Sequence, residues 1–254
     1  PAGATSYGPR QPPGRWTFCG EALKAGHRKR AERLPSAPVK PYAPHRSLDR
    51  IIANVDSPIA TEFDIPFTVE NVLAGYRQGI FPMGDDEDDL VYWFRPDPRA
   101  IIPLDGLHIP RSLQRAINQG EFEVTANEAF AEVMLGCGEG RPVWITDRIH
   151  DLYNQLHELK RAHSIEIWSD GELVGGVYGV QVGGAFMAES KFHRVANASK
   201  IALVKLVEQL AGGGFCLLEV QYLTDHLQQF GACEISNADY LLRLESAADL
   251  ECAF

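Results

Sequence analysis

HSIEIW (163–168), SDGELVGGVYGVQVGGAFMAESKF (169–192), NASKIALVKLVEQLAGGG (197–214) and FCLLEVQYLTDHLQQFGA (215–232) make up the stretch on which the fold turns. Ser164 to Trp168 alternates, Ser169-Asp170-Gly171 turns, Leu173 to Val180 returns, Gly183-Gly184 turns again, and Ala185 to Glu189 is a third strand. That order predicts an antiparallel meander. Asn197 is placed to cap a helix with a buried stripe of Leu203, Leu206, Val207 and Leu210, which Gly212-Gly213-Gly214 ends before a strand over Phe215–Gln221. Meander, helix, strand and helix predict an α/β (α+β) protein with a mixed sheet. The same stretch sets Glu189, Glu219 and Gln221 in apolar segments, where an unpartnered polar group is costly. A period of two puts Leu217, Glu219 and Gln221 on one strand face, so the acid and the amide are expected side by side.

Working outward, Thr146 is a cap for a long helix with Ile149, Leu152, Tyr153, Leu156 and Leu159 at helical spacing, expected to pack on the meander. A helix from about Asn127 to Leu135 precedes it, its apolar side made of Ala129, Phe130, Val133 and Met134. Another begins near Pro110 and stops at Gly120, with Arg111 and Arg115 one turn apart on a face that reads either as phosphate-binding or as ordinary wet surface. Thr68 caps a short helix through Val72, Leu73 and Tyr76, closed by Gly79. The run Asp85, Asp86, Glu87, Asp88, Asp89 is expected as an exposed loop. Trp93 and Phe94, ahead of the Pro96-Asp97-Pro98 turn, read as core or as a pocket rim. Residues 1–50 are rich in Pro, Gly, Arg and Lys, which predicts a disordered basic arm. An arm over 1–50 and a globular part from Ile51 onward are therefore expected.

Composition narrows the function. The chain has 254 residues, 45% of them hydrophobic, enough for a sizeable core. It has no run of about 18 apolar residues and no charged-then-apolar leader, so neither a membrane span nor a secretory signal is read. Five scattered cysteines without a Cys-x-x-Cys pair argue against a disulfide framework or a zinc knuckle and fit a reducing cytoplasmic setting. His150, His157, His163 and His226 lack metal-ligand spacing. The net charge of -10 gives no overall pull toward nucleic acid, so a local basic patch must supply it.

GIFP (79–82), PDPR (96–99), RSxxR (111–115), WI (144–145), LHEL (156–159), AHSIEIW (162–168), ELVGGVYG (172–179), ESKF (189–192), NASK (197–200), LLEVQ (217–221), DH (225–226) and GACEI (231–235) follow one another as in leucyl/phenylalanyl-tRNA-protein transferases, which the chain resembles from about Phe67 to its C-terminus. The resemblance implies a GNAT-like acyltransferase domain over 107–254 behind a small N-terminal domain over 51–106, so that with the arm over 1–50 three parts are expected. It implies transfer of Leu or Phe from aminoacyl-tRNA to the α-amino group of proteins beginning with Arg or Lys, marking them for degradation. A monomer without metal or soluble cofactor is implied. Carried over by position, Gln221 is the proton acceptor or orienter, Glu219 its support, and Glu189 the group that holds the amine or the terminal adenosine. Trp144 and Phe186 surround adenosine and the amino-acid side chain, with Val177, Met83 and Trp93 in the same substrate-binding set, and Arg111 and Arg115 meet tRNA phosphates. Phe186 faces away from Glu189 on a regular strand, so a shared pocket requires a bulge near Ala188.

The departures from the family pattern concern the donor amino acid. Glu219 stands for the family's aspartate, Met83 for a tryptophan and Lys191 for a pocket methionine, while Asn118 and Gln119 thin out the basic helix. These changes predict a pocket still apolar but less strict for Phe. The alternatives are an N-acetyltransferase of the same fold, which needs a Gly-rich pyrophosphate loop running into a helix and finds none here, and a non-catalytic tRNA-binding or N-terminus-binding module.

Overall fold

The computed structural model describes residues 58–85, 87–139 and 144–254, all within one compact unit. The expected arm over 1–50 and the start of the globular part at Ile51 lie outside the described residues.

The chain first builds a small sheet. Strands β1 (Ala60–Thr61), β2 (Phe81–Gly84) and β3 (Val91–Phe94) pair antiparallel in the order β1-β3-β2, with helix α1 (Val69–Arg77) before β2. The Thr68 hydroxyl caps α1 by accepting the Asn71 N–H at 3.3 Å. Gly79, at φ +70°, then reverses the chain into β2. Trp93 is fully buried and its indole N–H donates to the Ile65 carbonyl at 3.0 Å, which makes it core. The acidic run is not wholly exposed. Asp85 is 1% exposed at the head of the β2–β3 turn and accepts the Glu87 N–H, while Asp88 accepts the Leu90 N–H and the Tyr92 hydroxyl. Backbone donors of the turn and a tyrosine hydroxyl let part of the run go inward.

A seven-stranded sheet follows. Its strands are β4 (Arg99–Ile101), β5 (Glu123–Ala126), β6 (Ala162–Ser169), β7 (Glu172–Val182), β8 (Ala185–His193), β9 (Leu217–Gln221) and β10 (Cys233–Ile235), in the order β10-β4-β9-β8-β7-β6-β5. The β6–β7–β8 meander is antiparallel as expected, and β8 runs parallel to β9, so the sheet is mixed. The chain changes sheets between Phe94 and Arg99. Strand β5, on the edge beside β6, has no counterpart in the sequence reading, and its displaced neighbour α3 spans Phe130–Gly138 rather than Asn127–Leu135. EVTA is short and mostly exposed, so it carries little periodic signal.

Helices cover both faces. One face packs α3, α4 (Asp147–Glu158) and α7 (Asn237–Ala247) through Phe130, Met134, Ile149, Tyr153, Tyr240 and Leu244. The other packs α5 (Ala198–Gly212), α2 (Arg111–Gln119) and the short α6 (Asp225–Gln228) through Leu203, Leu206, Val207, Leu113 and Leu227. Thr146 caps α4 as its sequence predicts, accepting the Ile149 N–H. Asn197 does not cap α5 with its side chain; it sits at φ +70° and makes no capping bond.

Two features of this sheet shape the site. Strands β8 and β9 pair only over Ala185–Met187 and Leu217–Glu219 and then part. On β8, Gly179 of β7 faces Ala188 while Tyr178 faces Ser190, so Glu189 is the extra residue of a bulge. A Cβ on Gly179 would lie 2.2 Å from the Met187 carbonyl oxygen and 2.5 Å from the Phe186 ring. Gly179→Ala is therefore expected to cost about 1–3 kcal/mol, read as a lower urea midpoint with unchanged m-value. An unchanged midpoint would show that the bulge has room to give.

Candidate active site

Where β8 and β9 part, a cavity of about 820 Å³ opens at their C-terminal ends, the position where open α/β sheets bind ligands. Ala188, Glu189, Ser190 and Lys191 all line it, which an alternating strand does not permit and the bulge does. Val220, Gln221 and Tyr222 line the β9 side, Met83 and Phe81 enter from the small sheet, and Trp144, Val177 and Leu203 add apolar wall.

Glu189 and Gln221 bridge the gap between the strands. The Gln221 side-chain N–H donates to Glu189 Oε2 at 3.1 Å. With its NH₂ committed to the acid, the amide presents its carbonyl oxygen as an acceptor. Gln221 itself is held at φ +61°, an unusual angle for a side chain of this size and the kind of strain that collects at functional sites. Glu189 is 8% exposed, and its Oε1 makes no hydrogen bond to protein. Burial first, and then the charge of Glu219, push its carboxyl up to about 8, against the opposing pull of the Tyr76 hydroxyl, Gln221 and Arg99. Tyr76 shares a 2.5 Å hydrogen bond with Tyr153, and burial with Glu189 nearby keeps both phenols protonated.

Glu219 has a different place from the one its spacing suggests. It is 1% exposed, does not line the cavity, and pairs with Arg99 at 2.8 Å. Its Oε1 accepts the backbone N–H of Gln221 at 3.0 Å, so it fixes the backbone of Gln221 while Glu189 holds the side chain. Burial pushes the Glu219 carboxyl up, and the Arg99 guanidinium beside it pulls the other way. Arg99 also donates to the Gly79 carbonyl and lies 4.4 Å from the Tyr240 ring centroid.

Of the sequence candidates, the structure gathers Glu189, Gln221, Trp144, Val177 and Met83 at one cavity and sets Glu219 behind it. Phe186 and Trp93 do not reach it. Phe186 is fully buried under α5, stacked on Phe254 at 5.4 Å and edge-on to Phe215. The expected bulge exists, but it lies beyond Phe186 and re-aims Glu189 instead. Arg111 and Arg115 are exposed on α2, whose Leu113 anchors it to the core. Sequence reasoning missed Arg99, Tyr76 and Tyr153 as site residues. Arg99 stood in the quoted PDPR, whereas the two tyrosines sat at helical spacing and read as core.

A buried carboxyl pushed up to about 8, an amide bonded to it and a cleft beside them are the parts a proton transfer within an acyl transfer would use, and the class of the protein follows from its relatives. The leucyl/phenylalanyl-tRNA protein transferase model matches residues 101–245, and the model of that family's N-terminal domain matches 66–97. The leucyl/phenylalanyl-tRNA–protein transferase of Salinibacter ruber is 49% identical over 183 residues, 72% of this chain and 81% of that protein. The enzyme of the same name from Herpetosiphon aurantiacus is 49% identical over 184 residues, covering 72% and 95% of the two chains. The chain belongs to the leucyl/phenylalanyl-tRNA protein transferase family, a family of aminoacyltransferases. Among solved structures, a conserved protein of unknown function from Bacteroides thetaiotaomicron aligns over 75% of this chain and 62% of that one at 11% identity and a TM-score of 0.38, too distant a likeness to bear on the fold or the chemistry.

Proposed function

We propose that the chain transfers an apolar amino acid, Leu foremost and Phe or Met with it, from aminoacyl-tRNA to the α-amino group of proteins that begin with Arg or Lys, tagging them for degradation. The observation that carries this reading is the Glu189–Gln221 bridge across the parted strands, inside a chain of this family. The acceptor ammonium must lose a proton before it attacks the ester, and α-amino groups titrate at about 7.7–8.0. A carboxyl pushed up to about 8 is matched to that task. Gln221, its carbonyl oxygen free of Glu189, accepts a hydrogen bond from the amine and aims its lone pair; Glu189 takes the proton. Of the two roles expected for Gln221, proton acceptor or orienter, this keeps the orienter and gives the proton to Glu189, which was expected to hold the amine or the terminal adenosine. The tRNA ester is already activated, so the tetrahedral intermediate collapses by expelling the ribose oxygen, which takes up the proton held on Glu189, while the excess proton on the new amide nitrogen passes back to the Glu189 carboxylate and on to solvent. A mixed sheet with parted parallel strands is compatible with the GNAT-like fold that the resemblance implies, and a cytoplasmic setting suits a tRNA substrate.

The test is to incubate the protein with Leu-, Phe- and Met-charged tRNA and a peptide beginning with Arg, and to follow mass added at the peptide N-terminus. No addition from any charged tRNA, with acetyl-CoA giving product instead, would transfer the reading to N-acetylation. Donor choice is a separate expectation. Met83 and Lys191 on the cavity wall leave less aromatic surface for a Phe side chain than a tryptophan and a methionine would, so Leu is expected to be preferred over Phe by several-fold in kcat/KM. A strong Phe preference would contradict it.

A further inference from the structure

Away from the Glu189–Gln221 pair, the same cavity has a second chemical character. Lys191 and His193 at the end of β8, Lys200 in the first turn of α5 and His226 of α6 all line it. His226 is held below the ordinary imidazole range by burial and then by the charges of Lys191, Lys200 and His193, so these groups feel one another around the cavity. Among the described residues the carboxyl on the cavity wall is that of Glu189, which burial keeps mostly neutral at pH 7. Helix α5 starts at the same wall, with Asn197, Ser199 and Lys200 all lining the cavity and no side-chain cap at Asn197. The positive end of that helix adds to the two lysine ammoniums around one space, where the imidazoles supply hydrogen-bonding nitrogens. Basic groups gathered there repel one another, and an anion relieves the repulsion. At about 820 Å³ the cavity has room for a nucleotide rather than a lone ion.

We propose that Lys200, His193 and His226, at the N-terminus of α5, form an anion subsite that holds the phosphate next to the 3′-terminal adenosine of the donor tRNA. This rests on the aminoacyl-tRNA reading above. A phosphate contact carries no base information; it fixes the register of the strand end. Anchoring the last phosphate here leaves the adenosine and its ester to extend toward Trp144, Glu189 and Gln221 on the same cavity wall.

The test is calorimetric titration of the full chain with AMP, adenosine and inorganic phosphate. AMP is expected to bind about tenfold more tightly than adenosine, with phosphate competing against AMP and not against adenosine. Lys200→Gln should bring the AMP-to-adenosine ratio close to one, and Lys200→Arg should restore it. Leucyl esters of AMP and of adenosine, used as donors, should differ in KM by the same factor. Equal binding of AMP and adenosine by the wild type overturns the subsite, and so does an equal loss of both ligands in Lys200→Gln and Lys200→Arg. Preference for a donor with an acidic side chain, without any AMP advantage, assigns the cations to that side chain and also overturns it. Transfer from Leu-tRNA without an AMP advantage removes the subsite and keeps the aminoacyl-transfer function. An AMP advantage without transfer from any charged tRNA removes the tRNA reading, and with it the assignment of this phosphate.

Discussion

Glu189→Gln is expected to slow aminoacyl transfer by about a hundredfold to ten-thousandfold while leaving the protein folded. Gln has the shape of a protonated Glu and keeps an acceptor for the Gln221 side-chain N–H, so below about pH 4.5, where the carboxyl is neutral in the folded and the unfolded chain alike, stability should hardly change. Above that pH the two proteins part, the variant becoming the more stable. Burial pushes the Glu189 carboxyl up to about 8 in the folded state, against about 4.5 for an ordinary glutamate, so the folded protein holds the proton more tightly than the unfolded chain does. Its contribution is fully present below about pH 4.5 and is lost as pH rises through the folded value. Between those limits the unfolding free energy falls by about 1.4 kcal/mol per pH unit on account of this group. Urea unfolding at pH 5, 7 and 9 should show that slope in the wild type and a flatter one in Glu189→Gln, with the variant the more stable at pH 9. The wild-type transfer rate should rise with pH and level off near 8, and the variant should lose the part of that rise beyond the acceptor amine's own titration. A variant that transfers at the wild-type rate would remove Glu189 from the mechanism.

Arg99→Met is the substitution expected to cost most in stability, about 3–5 kcal/mol, because it strands Glu219 in the interior without its cation. Arg99 is 1% exposed, donates to Glu219 Oε1 at 2.8 Å and to the Gly79 carbonyl, and lies over the Tyr240 ring. It ties the turn that leads into β2 to the strand that carries Gln221. The expected readout is a large drop in the urea midpoint together with loss of transfer. Adding Glu219→Gln to Arg99→Met removes the stranded charge, keeps an acceptor for the Gln221 N–H, and should recover most of the lost stability. Arg99→Lys should fall between, since a single ammonium cannot reproduce the planar fork that serves both acceptors. If the double variant were no more stable than Arg99→Met, the cost would lie in packing around Tyr240 and not in the buried charge.

Helices and meander were legible because each carries its own punctuation. Thr68 and Thr146 do cap α1 and α4, Gly79 and Gly120 do reverse the chain, and the Leu203, Leu206, Val207 and Leu210 stripe is buried. Strand β5 and the true start of α3 were not legible, since a short exposed edge strand has no buried face to impose a period. Asp85 was misjudged for a related reason: five acids in a row suggest solvent, but a turn can supply its own backbone donors to the first of them.

Glu189 and Gln221 were visible in the sequence as polar residues in apolar strands, and their resemblance to a family gave them roles. That they touch each other was not visible, because their contact depends on β8 bulging at Glu189 and on β8 and β9 parting after Met187 and Glu219. Period two set Glu219 beside Gln221, yet Gln221 sits at a positive φ that breaks the alternation, and Glu219 pairs with Arg99, a residue 120 positions away. The sequence by itself determined the order of the main helices and of the meander, the mixed sheet and the residue types available for proton transfer, because periodicity, caps and turn residues act locally. Only the tertiary structure decided which acid holds the amide's side chain, which holds its backbone, and that Phe186 and Trp93 are core. Those outcomes depend on strand register and on charges brought together from distant parts of the chain, and burial sets the Glu189 proton only once the fold has closed around it.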